Sequence, residues 1–219
     1  MRPQWGSWLS KGAFLLVGFG AVLGLVLGVI LGVYVGVEGL VTVANMLLNP
    51  AVFMIWGVST SSLAVFTAVY TAYLFRQAKG REFWQGKFLP LHMGIQAIVA
   101  GSAICLIVVE ILDGFINIYG YSAVVLTCGL VVSGGIICHE HLWVRTPSTS
   151  FRIANQSLLS GSYRYWFRAG AALFGHVVPL LLLVIEGAGF GSIAGACALV
   201  GLFCYEYGFI LAGQDPPNS

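Results

Sequence analysis

The stretch AFLLVGFGAVLGLVLGVILGVYV, residues 13–35, contains apolar residues, glycines and one tyrosine, and it carries no charge. A helix of about 20 such residues is long enough to cross the hydrocarbon core of a bilayer. The run is too long for the core of a signal peptide, and no small-residue cleavage site follows it. We therefore predict a transmembrane helix that is retained in the protein.

Five more apolar runs follow the first one. We predict spans at residues 13–35, 51–75, 89–109, 121–138, 167–185 and 193–212. Hydrophobic residues make up 58% of the chain and charged residues 8%, whereas a soluble domain carries about 25% charged residues. Because runs of this length exceed barrel strands, the spans should be helices. The predicted fold is an all-α integral membrane protein, one polytopic domain over residues 1–219, with six transmembrane helices in three hairpins.

Charge alternates along the connections between these spans. Nine of the ten Lys and Arg residues lie before the first span, between the second and third, or between the fourth and fifth, and the tenth, Arg168, is at the start of the fifth span. In the other connections every charged residue is acidic, and these connections lie around Glu38, Glu110 and Glu186. We expect tight turns there. Basic connections usually face the cytoplasm. The pattern predicts a protein of the cytoplasmic (inner) membrane with both termini on the basic, cytoplasmic side.

The first span carries a regular glycine pattern. Gly20, Gly24, Gly28, Gly32 and Gly36 follow one another at intervals of four residues. Four residues advance about 400° around a helix, so these glycines form one slowly spiralling stripe without side chains. Such a stripe lets another helix approach closely. We predict that it packs against a helix from a further membrane chain.

Two ionisable residues lie within predicted spans. His176 is in the middle of the fifth span, and Glu206 is about two turns from the inner end of the sixth. Ionisable groups are costly inside a membrane and are often functional. Both could relay protons, or they could form hydrogen bonds that orient the helices, and the sequence leaves both interpretations open.

Metal and haem sites are not expected. A bis-histidine haem needs two imidazoles at equal depth on neighbouring helices, whereas His139 and His141 have interfacial positions and no second pair follows. The five cysteines lie inside predicted spans without metal-ligand spacing. A net charge of +2 and the absence of a basic patch in a soluble segment argue against a nucleic-acid partner.

Two tyrosines lie near the inner end of the second span. Tyr73 has the position of an interfacial aromatic residue. Tyr70 lies one turn deeper, where its hydroxyl could donate a hydrogen bond to a carbonyl such as that of a quinone. The candidate residues to line the ring are Phe66, Phe75, Phe83 and Trp84.

The two inner connections are long and basic. We expect Lys79, Arg81, Lys87, Arg145 and Arg152 to lie on one face, next to a partner subunit or anionic lipid head groups. The polar stretch 139–164 also alternates apolar and polar residues after position 150, which predicts a short interfacial helix.

Several segments together resemble the NrfD-like family, the membrane subunits of polysulfide reductase that also occur in alternative complex III. They are RP and SWLSKGAF within residues 2–14, YTAYL at 70–74, EFW at 82–84, LP at 89–90, GHVVPL at 175–180 and EYGFILAGQDPP at 206–217. Family members usually have at least eight helices, and this chain resembles them from the third helix onward. We expect the two other helices to come from another chain, or the chain to be a shortened form. Tyr207 stands where many relatives have an arginine.

The resemblance implies a function. It indicates a membrane subunit of a quinone-linked oxidoreductase complex that exchanges electrons between menaquinone or ubiquinone and a ferredoxin-like iron–sulfur subunit, alongside a catalytic subunit. By the same resemblance Tyr70 hydrogen-bonds the quinone, while His176 and Glu206 belong to a proton path. No catalytic residue is assigned to this chain. The alternatives are a structural membrane anchor without a quinone site, and a transporter or channel element.

Overall fold

A computed structural model describes residues 6–47, 49–111, 116–143, 148–185 and 189–217. The helices are α1 (Trp8–Tyr34), α2 (Glu38–Leu47), α3 (Pro50–Arg76), α4 (Leu89–Ile111), α5 (Ile116–Cys138), α6 (Thr149–Leu159), α7 (Val178–Val184) and α8 (Phe190–Ala212). A 3₁₀ turn spans Glu82–Gln85, and π-helical segments span His139–Trp143 and Trp166–Val177. The chain divides into two compact units, an N-terminal unit of residues 1–77 and a C-terminal unit of residues 78–219.

Six helical stretches of the described chain are long and apolar enough to cross a membrane. They are Trp8–Tyr34, Pro50–Arg76, Leu89–Glu110, Ile118–Trp143, Trp166–Val184 and Phe190–Ala212. Each overlaps one predicted span. The fifth differs in kind, because it begins as a π-helix and becomes α-helical at Val178. The prediction of an all-α membrane protein with six spans is therefore confirmed.

The connection that contains Glu38 is not a tight turn, so that prediction was wrong. The chain reverses at Gly36, which has a φ of +87°, a conformation that a side chain would strain. Glu38 then lies in the first turn of helix α2, where a carboxylate favours the positive end of the helix dipole. The Leu40 side chain occupies the space beside Gly32. The apolar residues after Glu38 thus pack as a helix against α1.

The predicted short helix in the second inner connection is present as α6. The Ser148 hydroxyl accepts a hydrogen bond of 3.1 Å from the Phe151 backbone amide and caps its first turn. Ala154 and Leu158 are buried, whereas Arg152 and Ile153 are exposed. The helix therefore lies against α8 with one apolar face.

The N-terminal unit consists of α1, α2 and α3. The Tyr70 ring on α3 covers Gly12 on α1, and the Trp8 and Tyr73 rings stack at 4.4 Å between centroids. Farther along, the apolar windows of the two spans contain no buried residue. The unit is therefore packed at one end, and its own helices leave long apolar surfaces uncovered.

The C-terminal unit is built around α8, which contacts α4, α6, α7 and the segment Trp166–Val177. This segment is called the π-helical segment below. Its core consists of Val99, Ala103, Leu106, Leu126, Leu130 and Ala198. Many buried residues of α8 are glycine, alanine or cysteine, and small residues let helices approach closely in a membrane.

The closest approach is between α8 and the π-helical segment. A Cβ atom added at Gly201 would collide with the backbone of Gly175, and one added at Gly175 would lie 2.7 Å from the Gly201 Cα. A similar contact joins α8 to α4, because a Cβ at Gly195 would lie 2.6 Å from the Ala103 carbonyl oxygen. These glycines set the spacing of the bundle.

Both ends of α8 are held by charged side chains from elsewhere in the unit. At its start, the Ser192 backbone amide donates a 3.0 Å hydrogen bond to Glu110 Oε2. At its end, Arg81 Nη1 donates to the carbonyl oxygens of Gln214 at 2.8 Å and Pro216 at 2.6 Å. A carboxylate at the helix start and a guanidinium at its end both favour the helix dipole.

We predict that Gly201→Ala destabilises the C-terminal unit. The added methyl group meets the Gly175 backbone, which cannot rotate away, so the free energy of unfolding should fall by about 1–3 kcal/mol. Gly101→Ala is the matched control, since Gly101 lies on α4 with nothing within 4 Å of an added Cβ. Thermal unfolding in detergent measures both variants. Equal melting temperatures for them would contradict the close approach.

Candidate functional site

The candidate site lies in the C-terminal unit, where buried polar side chains meet between α4, α5, α6 and α8. It has two parts, a chain of hydrogen-bonded groups inside the bundle and a cavity at the end of the spans. His141 belongs to both, because it lines the cavity and contacts Tyr205 of the buried chain.

The deepest part of the chain joins two histidines through one serine. His92 Nε2 lies 3.2 Å from Ser133 Oγ, and His176 Nε2 lies 3.4 Å from the same oxygen. His92 and Ser133 are buried. His176 Nδ1 lies 2.9 Å from the Ala171 carbonyl oxygen, which fixes the ring.

These contacts determine where the hydrogens lie when both rings are neutral. A carbonyl oxygen only accepts, so His176 Nδ1 carries the hydrogen and His176 Nε2 accepts. The Ser133 hydroxyl then donates to His176 and accepts from His92 Nε2. His92 Nδ1 is left as a buried acceptor without a hydrogen-bond partner among the described residues. The three groups thus form a continuous hydrogen-bonded chain from His92 to His176.

A second group surrounds His141. Asn155 Nδ2 donates to the His141 carbonyl oxygen at 2.9 Å, which orients the amide so that Asn155 Oδ1 faces His141 Nδ1 at 2.9 Å. His141 Nδ1 therefore carries the hydrogen, and the Tyr205 hydroxyl donates to His141 Nε2 at 3.1 Å. The Tyr205 ring packs against His92, with 5.1 Å between centroids. Tyr205 thus lies between the two histidines.

A cavity of about 510 Å³ opens beside His141, which is within the usual size range of small-molecule sites. We name it the Glu140 cavity. Its walls include the rings of Phe83, Phe88, Phe151 and Phe209 and the polar groups of His139, Glu140 and His141. Phe83 lies at the centre of the aromatic wall, 5.0 Å from Phe209 and 5.2 Å from Phe151 between ring centroids.

Two polar atoms at this cavity lack hydrogen-bond partners among the described residues. Glu140 Oε1 and His139 Nδ1 are both buried, and no described residue hydrogen-bonds either atom. The Phe88 backbone amide lies near the same Glu140 carboxyl group. Because an unpaired buried polar atom costs free energy, this pair of atoms points to a ligand or water in the cavity.

Tyr70 belongs to the N-terminal unit, whereas the chain of buried polar groups belongs to the C-terminal unit. Its partly buried ring rests on Gly12, and no described residue hydrogen-bonds its hydroxyl. Tyr73 instead belongs to a stack with Trp8, with Lys11 4.6 Å from the Trp8 ring and Arg76 5.9 Å from the Tyr73 ring. The two tyrosines therefore have different surroundings, and the roles predicted for them stay predictions.

The predicted proton-path residues are placed on different helices. His176 is part of the His92–Ser133 chain, and Glu206 is not. Glu206 lies beside Gln96, one helical turn after His92 on α4. Glu206 therefore faces the same helix at a neighbouring level.

The predicted docking residues have mixed environments. Lys79, Lys87 and Arg152 are exposed, whereas Arg81 caps the end of α8 within this chain. Arg145 lies outside the described residues. Docking at these positions stays a prediction.

The predicted glycine stripe is open in this chain. Added Cβ atoms at Gly20, Gly24 and Gly28 would meet nothing within 4 Å. Leu40 covers Gly32, and Gly36 lies beyond the end of α1. The part of the stripe that remains for a partner helix is thus Gly20–Gly28.

Sequence reasoning missed five groups that complete the site. They are His92, Ser133, Glu140, Asn155 and Tyr205. Serine and tyrosine are common in membrane helices, so only the three-dimensional contacts distinguish these from others. A weak signal existed for Glu140, which is an acid at the basic end of a span.

A comparison with known protein families gives one match. The sequence model of the family described as "Polysulphide reductase, NrfD" matches residues 1–217. No curated protein and no solved structure gives a match. The family comprises membrane subunits of quinone-linked oxidoreductases, which work with iron–sulfur and catalytic subunits. The match covers nearly the whole chain, and this multi-pass membrane protein therefore belongs to the NrfD family.

Proposed function

We propose that this protein is the membrane subunit of a complex that exchanges electrons between the quinone pool and an iron–sulfur partner subunit, with coupled proton transfer. The main support, beside family membership, is the buried His92–Ser133–His176 chain. A simple anchor has no need of three linked polar groups within its spans, and such groups are costly in a membrane. A quinone supplies two-electron, two-proton redox chemistry when bound.

Tyr70 is the proposed hydrogen-bond donor to a quinone carbonyl. The hydroxyl has no partner among the described residues. The ring packs against the backbone of Gly12, in the space that a side chain there would fill. A fixed ring with a free hydroxyl fits a polar contact to a ligand. The adjacent surfaces of α1 and α3 are apolar and uncovered, as a site for an apolar ring requires.

His176 is the proposed inner end of the proton path. A proton that binds His92 Nδ1 allows the Nε2 hydrogen to pass to Ser133, and the Ser133 hydrogen to pass to His176 Nε2. Each transfer follows an existing hydrogen bond. Glu206 is a further proposed proton-exchanging group. It lies on α8, beside Gln96 of α4.

The iron–sulfur subunit is proposed to dock on the basic face, at Lys79, Lys87 and Arg152, with Arg145 contributing. Exposed cations on one unit suit an acidic partner surface and anionic lipids. We further propose that this face is cytoplasmic and that both termini lie on it, in accordance with the distribution of Lys and Arg.

We predict that Tyr70→Phe weakens quinone binding about 10- to 100-fold, because it removes the donor and keeps the ring. Turnover of the complex with quinone should fall. Activity with a soluble dye that reacts directly with the iron–sulfur subunit should persist.

Tyr73→Phe is the matched control, since its ring stacks on Trp8 without need of the hydroxyl. It should leave both activities unchanged. If Tyr70→Phe also leaves both unchanged, the quinone assignment is wrong and a structural anchor is favoured.

We predict that Ser133→Ala interrupts proton transfer between His92 and His176. Proton uptake or release that accompanies quinone turnover should slow by at least about tenfold, in line with the loss of a positioned proton-transfer group. A pH-sensitive dye in proteoliposomes that contain the complex measures it. Ser122→Ala, at another buried serine of α5, is the control. Equal proton rates in the two variants would contradict the path.

We predict that Gly28→Leu loosens the complex. An added Cβ at Gly28 meets nothing within 4 Å, so folding should be kept, but the leucine side chain would separate α1 from a partner helix. Co-purification of the other membrane subunit should decrease. Gly18→Leu lies about 120° around α1 from Gly24 at the middle of the stripe, and an added Cβ there also meets nothing within 4 Å, so it should have a smaller effect. A similar loss in both variants would show that the stripe is not the contact.

A further inference from the structure

We propose that the N-terminal unit binds the head group of an anionic phospholipid at the end where α1 begins and α3 ends. The site consists of Lys11, Arg76 and the stacked rings of Trp8 and Tyr73, and we name it the Trp8–Tyr73 site. It lies within one unit of the chain. Its ligand is a structural lipid of the bilayer, so the inference is independent of the function proposed above.

The first argument is the level of the cluster in the membrane. The two spans of this unit are Trp8–Tyr34 and Pro50–Arg76, so Trp8 begins one span and Arg76 ends the other. The rings of Trp8 and Tyr73 stack at 4.4 Å between centroids, which brings the two span ends together. Trp and Tyr are enriched at the level of the lipid head groups. The cluster therefore lies at the level of lipid phosphates.

The second argument is the arrangement of charge on the stack. Lys11 Nζ lies over the Trp8 ring at 4.6 Å from its centroid, and Arg76 Cζ lies over the Tyr73 ring at 5.9 Å. Contacts of this kind attract a cation to the face of a ring. One aromatic stack thus carries an ammonium and a guanidinium group, and both groups bind phosphate oxygens. The rings hold the two cations in place for an anion.

The third argument is the charge balance of the unit. Residues 1–77 contain a single acidic residue, Glu38, which lies in the first turn of α2. Most of α1, a helix of 27 residues and about 40 Å in length, separates Glu38 from Lys11. Charges in physiological salt are screened over about 8 Å, so Glu38 does not neutralise this end of the unit. An anionic lipid supplies the opposite charge.

The fourth argument is the space for acyl chains. Gly18 follows Lys11 by seven residues, about two helical turns, and therefore lies on the same face of α1 but deeper in the membrane. A Cβ added at Gly18 would meet nothing within 4 Å. Val17 of α1 and Phe66 of α3 are 71% and 63% exposed. Acyl chains can thus lie along the spans below a head group at the cations, which favours a phospholipid over a free phosphate ion.

The test is native mass spectrometry of the full-length chain in detergent micelles, titrated with dioleoyl phosphatidylglycerol or dioleoyl phosphatidylcholine. The two lipids have the same acyl chains and differ in head-group charge. The wild-type chain should bind phosphatidylglycerol about tenfold more tightly or better, because two cations contribute. Excess inorganic phosphate should not displace the lipid, because it has no acyl chains.

Lys11→Gln keeps most of the side-chain length and removes the charge. It should lower the affinity for phosphatidylglycerol about fivefold and leave that for phosphatidylcholine unchanged. Lys11→Arg keeps the cation and should keep the wild-type affinity. Arg168→Gln is the control for the loss of one cation elsewhere, since Arg168 is exposed near the start of the fifth span. It should keep the wild-type preference. Thermal unfolding shows whether each variant is folded.

Three results would overturn the proposal. Equal affinity of the wild-type chain for the two lipids would show that it does not select an anionic head group. An equal decrease in folded Lys11→Gln and Arg168→Gln would show that total charge, and not the Trp8–Tyr73 site, attracts the lipid. Displacement by inorganic phosphate would identify a site for a free anion. The measurement uses neither quinone nor a partner subunit, so none of these results bears on the proposed function.

Discussion

The backbone contact between Gly175 and Gly201 is the constraint on which the candidate site depends. It brings the π-helical segment against α8 at a distance that no side chain allows. His176 follows Gly175 directly, and Tyr205 lies one turn after Gly201. The contact therefore fixes the depth of both polar groups relative to Ser133 on α5. A wider spacing would leave the serine out of reach of His176.

The π-helical geometry has a role in the same place. A π-helix makes hydrogen bonds to the fifth residue along the chain, and such segments often occur at functional sites. Here the Ala171 carbonyl oxygen, five residues before His176, accepts from the imidazole. The ring is thus held by its own segment, which leaves Nε2 to face Ser133. Local backbone geometry and the direction of the proton path are therefore connected.

Much of the fold could be predicted from the sequence, because the length and polarity of a membrane span are local properties. The six spans and the helix at Thr149–Leu159 follow from them. The location of the functional groups depends on contacts between helices. His176 was evident as a polar residue in an apolar run, but its link to Ser133 was not. The glycine pattern likewise did not reveal which glycines lie at contacts between helices. The regular stripe at Gly20–Gly28 is uncovered in this chain, whereas the contact that spaces the bundle uses Gly201, which has no regular pattern.

The most direct test of the account is electron exchange between quinone and the iron–sulfur clusters of the partner subunit. The complex would be purified with and without this chain, and the cluster signal followed by electron paramagnetic resonance after addition of quinol or quinone. We predict that the redox state of the clusters changes only when this chain is present. An equal change in both preparations, or no change in either, would contradict the role proposed for this membrane subunit.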